Sequence, residues 1–382
     1  MAPRTQGVAR RSRTKAPVQS LPVPQWSDQA ELVGLVFELV ALTAGSLPAQ
    51  YTVGLHAWFL DQIRQIDPEL SAYLHDGESE KPFTLSGLEG PLISSGREVQ
   101  LQVGQTYRWV ITALERSLAQ GLQQWLKVLL PEVGLNRAPL QVRQVGILYP
   151  AMTYEQIWAM AAKQTGSICL SFLTPTSFRR KGHHFPLPYP RNVFHSYLRR
   201  WNDFSGQPID QDEFLDWVDD HVIIHQVQLN STKVAAGKRG SVTGFTGAIE
   251  LGLNRTANQE PEFVQLFYAL TQLAPYCGTG HKTPFGLGQT QLGWETTIAP
   301  PVTSPLQTAL AERIAELTEI FFAQRQRSGG ERAQKTAETW ATVLARRELG
   351  ESLTTIAADL GIGYETAKTY VKLARRSLKD EP

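Results

Sequence analysis

Cysteine is almost absent from this chain: of 382 residues only Cys169 and Cys277 carry thiols, too far apart in sequence for a zinc knuckle or a CxxC redox pair. A disulfide-stapled secreted scaffold is thereby excluded, and a reducing, cytoplasmic setting is expected. No apolar run approaches the ~20 residues that cross a bilayer, so no membrane partner is expected. Acidic residues are missing from the first 24 positions, where Arg4, Arg10, Arg11, Arg13 and Lys15 stand without an apolar stretch. That composition is unlike a secretory signal and reads as a disordered basic arm, residues 1–24. Net charge is also small, +1 from 37 basic and 36 acidic residues. It neither demands nor forbids a nucleic acid, because a local basic groove can coexist with an acidic surface elsewhere.

What is present is periodic. Residues 31–42 and 106–114 alternate as strands, Tyr51–Ile66 and 117–130 carry apolar residues at helical spacing, and strand signals return at 140–148 and 166–172. Between the last two strands, Thr153-Tyr154-Glu155-Gln156 has the pattern of a capping box opening a short helix. The order strand, helix, strand, strand, helix, strand gives an α+β sandwich with helices on one side of an antiparallel sheet. A second block follows the proline-rich interval 174–190: helices at 193–202, 211–218 and 261–273, strands at 221–229, 245–253 and 289–294. The expected boundaries are 25–172 for the first module, 173–298 for the second, a linker and helix over 299–330, and a helical domain over 331–382.

Three groups of residues have the chemistry to act on a polyanion. In the segment 73–84, read as a polar loop beyond the first helix, His75 can exchange a proton near neutral pH and Lys81 can offset charge growing on a phosphate. These suit RNA cleavage by the RNA's own 2′-hydroxyl, which requires neither metal nor cofactor if acid, base and cation are positioned. His56, in the first helix, is a further candidate for proton transfer or RNA orientation. The glycine-rich loop 277–288 places Gly278, Gly280, Gly286 and Gly288 around His281, Lys282 and Thr283; close backbone approach and exposed N–H groups there would cradle phosphates. It is not a P-loop, since Lys282 precedes the last glycines, nor a dinucleotide fingerprint. Arg179, Arg180, Lys181 and His183 in the proline-rich interval, with Lys233, Lys238 and Arg239 further on, add basic contacts for an RNA backbone.

Four stretches in order make a pattern: Asp67-Pro68-Glu69-Leu70 through Leu74-His75 to Lys81-Pro82-Phe83-Thr84; Thr174-Pro175-Thr176-Ser177-Phe178; Gly244-Phe245-Thr246-Gly247; and the glycine-rich loop. Over residues 31–293 the chain resembles the CRISPR-associated repeat-RNA endoribonucleases, the sixth family of CRISPR-associated proteins. The resemblance implies two tandem ferredoxin-like (RRM-like) domains, CRISPR repeat RNA as substrate, a product with a 2′,3′-cyclic phosphate, and effector-complex subunits as partners. It places the family's catalytic histidine at His75 and a lysine of some members at Lys81. A tyrosine used by some members would fall at position 60, where this chain has Leu60, which cannot transfer protons; His56 is the local substitute.

The tail departs from a two-domain member. Helices over 353–360 and 364–379, joined by Gly361-Ile362-Gly363, resemble the helix-turn-helix of sigma-factor and response-regulator DNA readers. Thr366, Lys368, Thr369 and Lys372 are candidate groove contacts, with Arg375 and Arg376 near phosphate, although such modules also dock proteins. Nine Lys or Arg against eight Asp or Glu in 331–382 make only a weak net attraction. Two other readings stand beside repeat-RNA cleavage: a non-cleaving repeat-RNA-binding subunit, and a helix-turn-helix transcription regulator with an unrelated front half.

Overall fold

The computed structural model describes residues 22–48, 50–76, 80–95, 98–129, 131–135, 138–180, 183–235, 241–295, 305–324 and 330–379. Most of the basic arm, Lys181, Lys238 and Arg239 lie outside these residues. Val23 and Trp26 pack against the first core, so the folded part already includes Val23, within the expected 1–24 arm.

Apolar alternation along β1 (Leu32–Ala41) sends Val33, Leu35, Phe37 and Leu39 to one face, all fully buried. The chain continues as β2 (Gly45–Pro48), α1 (Tyr51–Ile66), α2 (Pro68–Asp76), β3 (Phe83–Leu85), β4 (Leu92–Ser95), β5 (Glu98–Leu101), β6 (Thr106–Ala113), α3 (Arg116–Lys127), β7 (Glu132–Leu135) and β8 (Ala138–Met152). The main sheet runs β3-β6-β1-β8-β7 and is antiparallel throughout. Without the added edge strand β7, this is the fourth-first-third-second order of a ferredoxin-like βαββαβ unit. Trp109 and Phe37 from the sheet meet Trp125 of α3 and Trp58 of α1, with centroids 5.5–6.0 Å apart. A small sheet, β2-β5-β4, had no counterpart in the sequence reading.

The bridging helix α4 (Tyr154–Ala161) begins with the expected capping box: Thr153 Oγ1 accepts from Gln156 N–H, and the Gln156 side chain accepts from Thr153 N–H. The second module comprises β9 (Ile168–Thr176), β10 (Phe178–Arg180), β11 (His183–Phe185), α5 (Pro190–Phe204), α6 (Gln211–His221), β12 (Val222–Ala235), β13 (Ser241–Leu253), α7 (Pro261–Cys277) and β14 (Thr290–Leu292). Its sheet, β12-β13-β9-β14, repeats the ferredoxin-like order. Here the expected boundary at 172/173 is corrected: β9 pairs with β13 and β14, so this strand opens the second module instead of closing the first. The closing strand of the first module is β8, paired along β1.

Buried hydrogen bonds lock the modules together. Thr112 Oγ1 donates to the Tyr276 carbonyl at 2.6 Å, Tyr154 Oη to the Leu114 carbonyl at 2.8 Å, and Gly286 N–H to the Leu85 carbonyl at 3.0 Å. The tail holds α8 (Pro305–Ala323), α9 (Gly330–Glu348), α10 (Leu353–Leu360) and α11 (Tyr364–Lys379). Leu310, Ile314, Leu317 and Phe321 of α8 share one core with α9, α10 and α11, and α8 also packs on β12. The helical tail is therefore a four-helix unit starting at Pro305, not a domain starting at 331.

Candidate functional site

His75 stands in the last turn of α2, not in a loop. Pro68 begins that helix and Asp67 caps it, accepting from Leu70 N–H at 2.9 Å; proline at a first helical position forfeits no hydrogen bond. The His75 side chain is exposed, and its carbonyl accepts from Lys81 Nζ at 3.0 Å. That hydrogen bond ties the end of α2 to a cavity of about 450 Å³ at the seam of the two modules.

Four pieces of chain line the cavity: Glu80 and Lys81, Phe178 and Arg179 of β10, the α5 face bearing Asn192, His195, Ser196 and Arg199, and Gly280 through Phe285. Of the expected residues it gathers Lys81, Arg179, Gly280, His281, Lys282 and Thr283. Arg180 is exposed beside it with its guanidinium 5.6 Å from the Phe185 ring, and His183 is exposed on β11. Lys233 lies on β12 opposite Thr243 and is not among the lining residues. His56 is held elsewhere on the same seam, stacked on Phe285 and Phe83.

In the glycine-rich loop most backbone donors turn inward. The N–H groups of Gly278, Thr279, Gly280, His281, Gly286 and Gly288 are all engaged within the protein, by Ala274 O, Gly288 O, Ser196 Oγ, Ser177 O, Leu85 O and Pro175 O. Those six N–H groups are therefore taken up inside the fold. Its glycines are required because the backbone folds onto itself at positive φ: a Cβ on Gly288 would stand 2.0 Å from Thr279 O, and one on Gly280 2.3 Å from Ser177 O. What the loop presents to the cavity is side chains. Lys282 takes the left-handed conformation, φ 61°, and burial lowers its pKa to about 8, helped by the charge of Arg179 and opposed by Glu338. Burial likewise holds His281 down at about 3, although Nδ1 donates to the Ser177 carbonyl at 2.8 Å; its Nε2 is buried without a hydrogen-bond partner. Stacked on it at 5.5 Å is His184, held at about 4 by burial and then by Arg179 and Lys282.

Sequence reasoning missed the helix side of the site. Asn192, His195, Ser196 and Arg199 recur at helical spacing along α5, a polar stripe visible in the sequence only once the helix is known to end a cleft. Arg200, 3% exposed, donates to Ser196 O and Oγ and to Gly280 O at 2.7–2.9 Å, and Glu80 pairs with it at 3.2 Å and with Arg199 at 2.9 Å. His195 is half-buried, its pKa lowered by burial and then Arg199 while its Nε2 hydrogen-bonds Gln211 at 3.1 Å. Lys81, Arg179, Arg199 and Lys282 against Glu80 make a positive concavity with the charge and hydrogen-bonding capacity to hold a phosphodiester. Among the described residues no group of three or more His, Cys, Asp or Glu is disposed to hold a metal, and no helix is long and apolar enough to cross a membrane.

Known proteins match this architecture module by module. The family model of the CRISPR Cas6 N-terminal domain matches residues 33–165, and that of the CRISPR-associated endoribonuclease Cas6 matches 170–290. The CRISPR-associated endoribonuclease Cas6 of Streptococcus thermophilus is 24% identical over 249 residues, covering 64% of this chain and 93% of that protein. Among solved structures, a Cas6 product complex is 27% identical with a TM-score of 0.58, covering 69% of this chain and 100% of that one. Thermus thermophilus Cas6 is 26% identical with a TM-score of 0.52, covering 69% and 99%. The family models end at residue 290, ahead of α8 to α11. On its two consecutive family matches, which together span most of residues 33–290, and the tandem fold beneath them, the chain belongs to the Cas6 family of CRISPR-associated endoribonucleases.

Proposed function

We propose that the chain binds the repeat of a CRISPR transcript and cuts it by internal attack of a ribose 2′-hydroxyl, without a metal or cofactor. The observation that carries this reading is the seam cavity, where Lys81, hydrogen-bonded to the carbonyl of His75, converges with Arg179, Arg199 and Lys282. The 2′-hydroxyl gives up its proton, the oxygen forms a bond to the adjacent phosphorus, the bond to the 5′-oxygen breaks, and that oxygen takes up a proton. The products are a 2′,3′-cyclic phosphate and a 5′-hydroxyl. His75 transfers a proton in one of the two steps, and the cavity cations lower the energy of the crowded, doubly charged phosphorane. A solved Cas6 relative is a product complex and another a substrate mimic complex, which supports binding of RNA in the same architecture. Effector-complex subunits would receive the processed RNA, in the cytoplasm.

The test is incubation of the full chain with repeat RNA in EDTA, followed by mapping of the RNA ends. Cleavage to defined ends bearing a cyclic phosphate is expected. A shifted but intact RNA would instead make the chain a repeat-binding subunit, a dependence on added divalent ions would reject the metal-free mechanism, and ends without a cyclic phosphate would reject the internal attack.

A further inference from the structure

The tail beyond residue 290 contains a surface that RNA cleavage leaves unused. Helix α10 is capped at its start by Ser352, whose Oγ accepts from Thr355 N–H at 3.1 Å, and closed at its end by Gly361. Gly361 takes the left-handed conformation, φ 65° and ψ 35°, and the N–H of Ile362 returns to the Ala357 carbonyl at 3.0 Å. Three residues later α11 departs. Ile356 and Leu360 of α10 and Val371 and Ala374 of α11 enter the core made by α8 and α9. Arg346 of α9, 2% exposed, fixes α10 in that frame by ion pairs at 2.6 Å with both Glu351 and Asp359. The result is a helix-turn-helix whose second helix is held by one stripe, Ala367, Val371 and Ala374, all buried.

The opposite stripe of α11 is exposed and carries charge of nearly one sign. Lys368, Thr369, Lys372, Arg375 and Arg376 all face solvent, with Glu365 the single acid among the exposed residues of the helix. The nearly balanced composition of the tail thus hides a segregation: the acids Glu348, Glu351 and Asp359 are paired with Arg313 and Arg346 away from α11, while on α11 itself the bases Lys368, Lys372, Arg375 and Arg376 are exposed with one acid among them, Glu365, 3.6 Å from Lys368. We infer that α11 is a duplex-DNA reader, seated in the major groove with Lys368, Thr369 and Lys372 toward base edges and Arg375 and Arg376 toward phosphates. DNA is favoured over double-stranded RNA on geometry. The major groove of B-DNA, about 12 Å wide, admits a helix with its side chains, whereas the A-form major groove is too narrow.

The inference stands apart from the cleavage reading, and its test separates them. The full chain, and a Lys368→Glu/Lys372→Glu variant, would be titrated against a labelled duplex-DNA library of about 25 base pairs in low salt, with repeat-RNA binding and thermal unfolding measured in parallel. Wild type should bind the duplex, enrich a common sequence on repeated selection, and lose roughly tenfold or more in affinity through the two reversals. The variant should unfold at the same temperature and bind repeat RNA as before. Removing Arg376 alone should flatten the salt dependence by a log–log slope of about 0.9. Failure of wild type to bind duplex DNA, equal binding by the charge-reversed variant, displacement of the DNA by repeat RNA, or preference for duplex RNA would each overturn the assignment.

Discussion

The imidazole of His56 lies against the ring of Phe285, centroids 4.5 Å apart and planes 24° from parallel, and also stacks on Phe83 at 5.8 Å. This contact joins α1 of the first module to the glycine-rich turn of the second, so it helps set the width of the seam in which the cavity lies. Replacing His56 by Phe keeps an aromatic ring there but removes any proton transfer. His56→Phe should therefore retain most single-turnover cleavage, while His56→Ala should lose about 1–2 kcal/mol of stability, from ring contacts worth roughly 0.5–1.5 kcal/mol each. Thermal unfolding and single-turnover rates read the two effects separately. A stable His56→Phe protein with cleavage reduced a hundredfold would give His56 a chemical part.

Stability should fall on acidification because two histidines in the second module are held neutral. His281 is lowered to about 3 and His184 to about 4, both chiefly by burial, against about 6.5 in an unfolded chain. Between those values the unfolded chain binds protons that the folded one refuses. The stability these groups contribute is whole above pH 6.5 and is lost as pH falls toward about 4 for His184 and about 3 for His281. For His281 the slope is at most about 1.4 kcal/mol per pH unit. Urea midpoints measured from pH 7.5 to 4.5 should drop across that window, and the drop should shrink in His281→Asn. A flat profile, or an unchanged one in the variant, would show that this site opens to water at little cost.

Much of this architecture was legible where burial follows a period. Helix α1 and the last two helices, α10 and α11, were delimited from apolar spacing, and Thr153 announced its own capping box. The loop read over residues 73–84 failed at its start because Asp67-Pro68 both ends α1 at Ile66 and opens the next helix. Proline after a capping aspartate begins a helix without losing a hydrogen bond. Gly278 to Gly288 were legible as a place where backbone approaches closely, but not what it approaches. Their partners are Ser177, Pro175 and Leu85, distant in sequence, and those contacts take the N–H groups of His281, Gly288 and Gly286. Arg200 was illegible for the opposite reason, since an arginine at 3% exposure contradicts its usual place and is tolerated only because Glu80, Ser196 and Gly280 surround it.

Glu80 accordingly has a measurable task. Its carboxylate pairs with buried Arg200 and with half-exposed Arg199, and its N–H donates to Asp203 at 3.1 Å. Glu80→Gln keeps the shape and withdraws the charge, leaving Arg200 with neutral acceptors only. A cost of roughly 2–4 kcal/mol is expected, since breaking a buried pair strands a charge. Arg200→Met combined with Glu80→Gln should recover part of the loss. Equal stability of the single variant and wild type in chemical denaturation would show that Ser196 and Gly280 satisfy Arg200 unaided.

His75 and Lys81 make the sharpest pair to separate, because one hydrogen bond joins them while only Lys81 lines the cavity. The bond runs from Lys81 Nζ to the backbone carbonyl of His75, so removing the imidazole leaves it in place. His75→Ala should then lower the single-turnover rate by roughly 100-fold or more with little change in RNA affinity, the signature of a lost proton-transfer group. Lys81→Ala should act differently: it withdraws a cation from the cavity and frees the end of α2, so both rate and affinity should fall and Lys81→Arg should restore part of each. Repeat RNA with hydrogen in place of the attacking 2′-hydroxyl should bind all three proteins and be cut by none, since the nucleophile belongs to the RNA. Near-normal cleavage by a folded His75→Ala protein would move the proton transfer to another group at the cavity. His195 would then be first in line, half-buried on α5 and already lining the same wall.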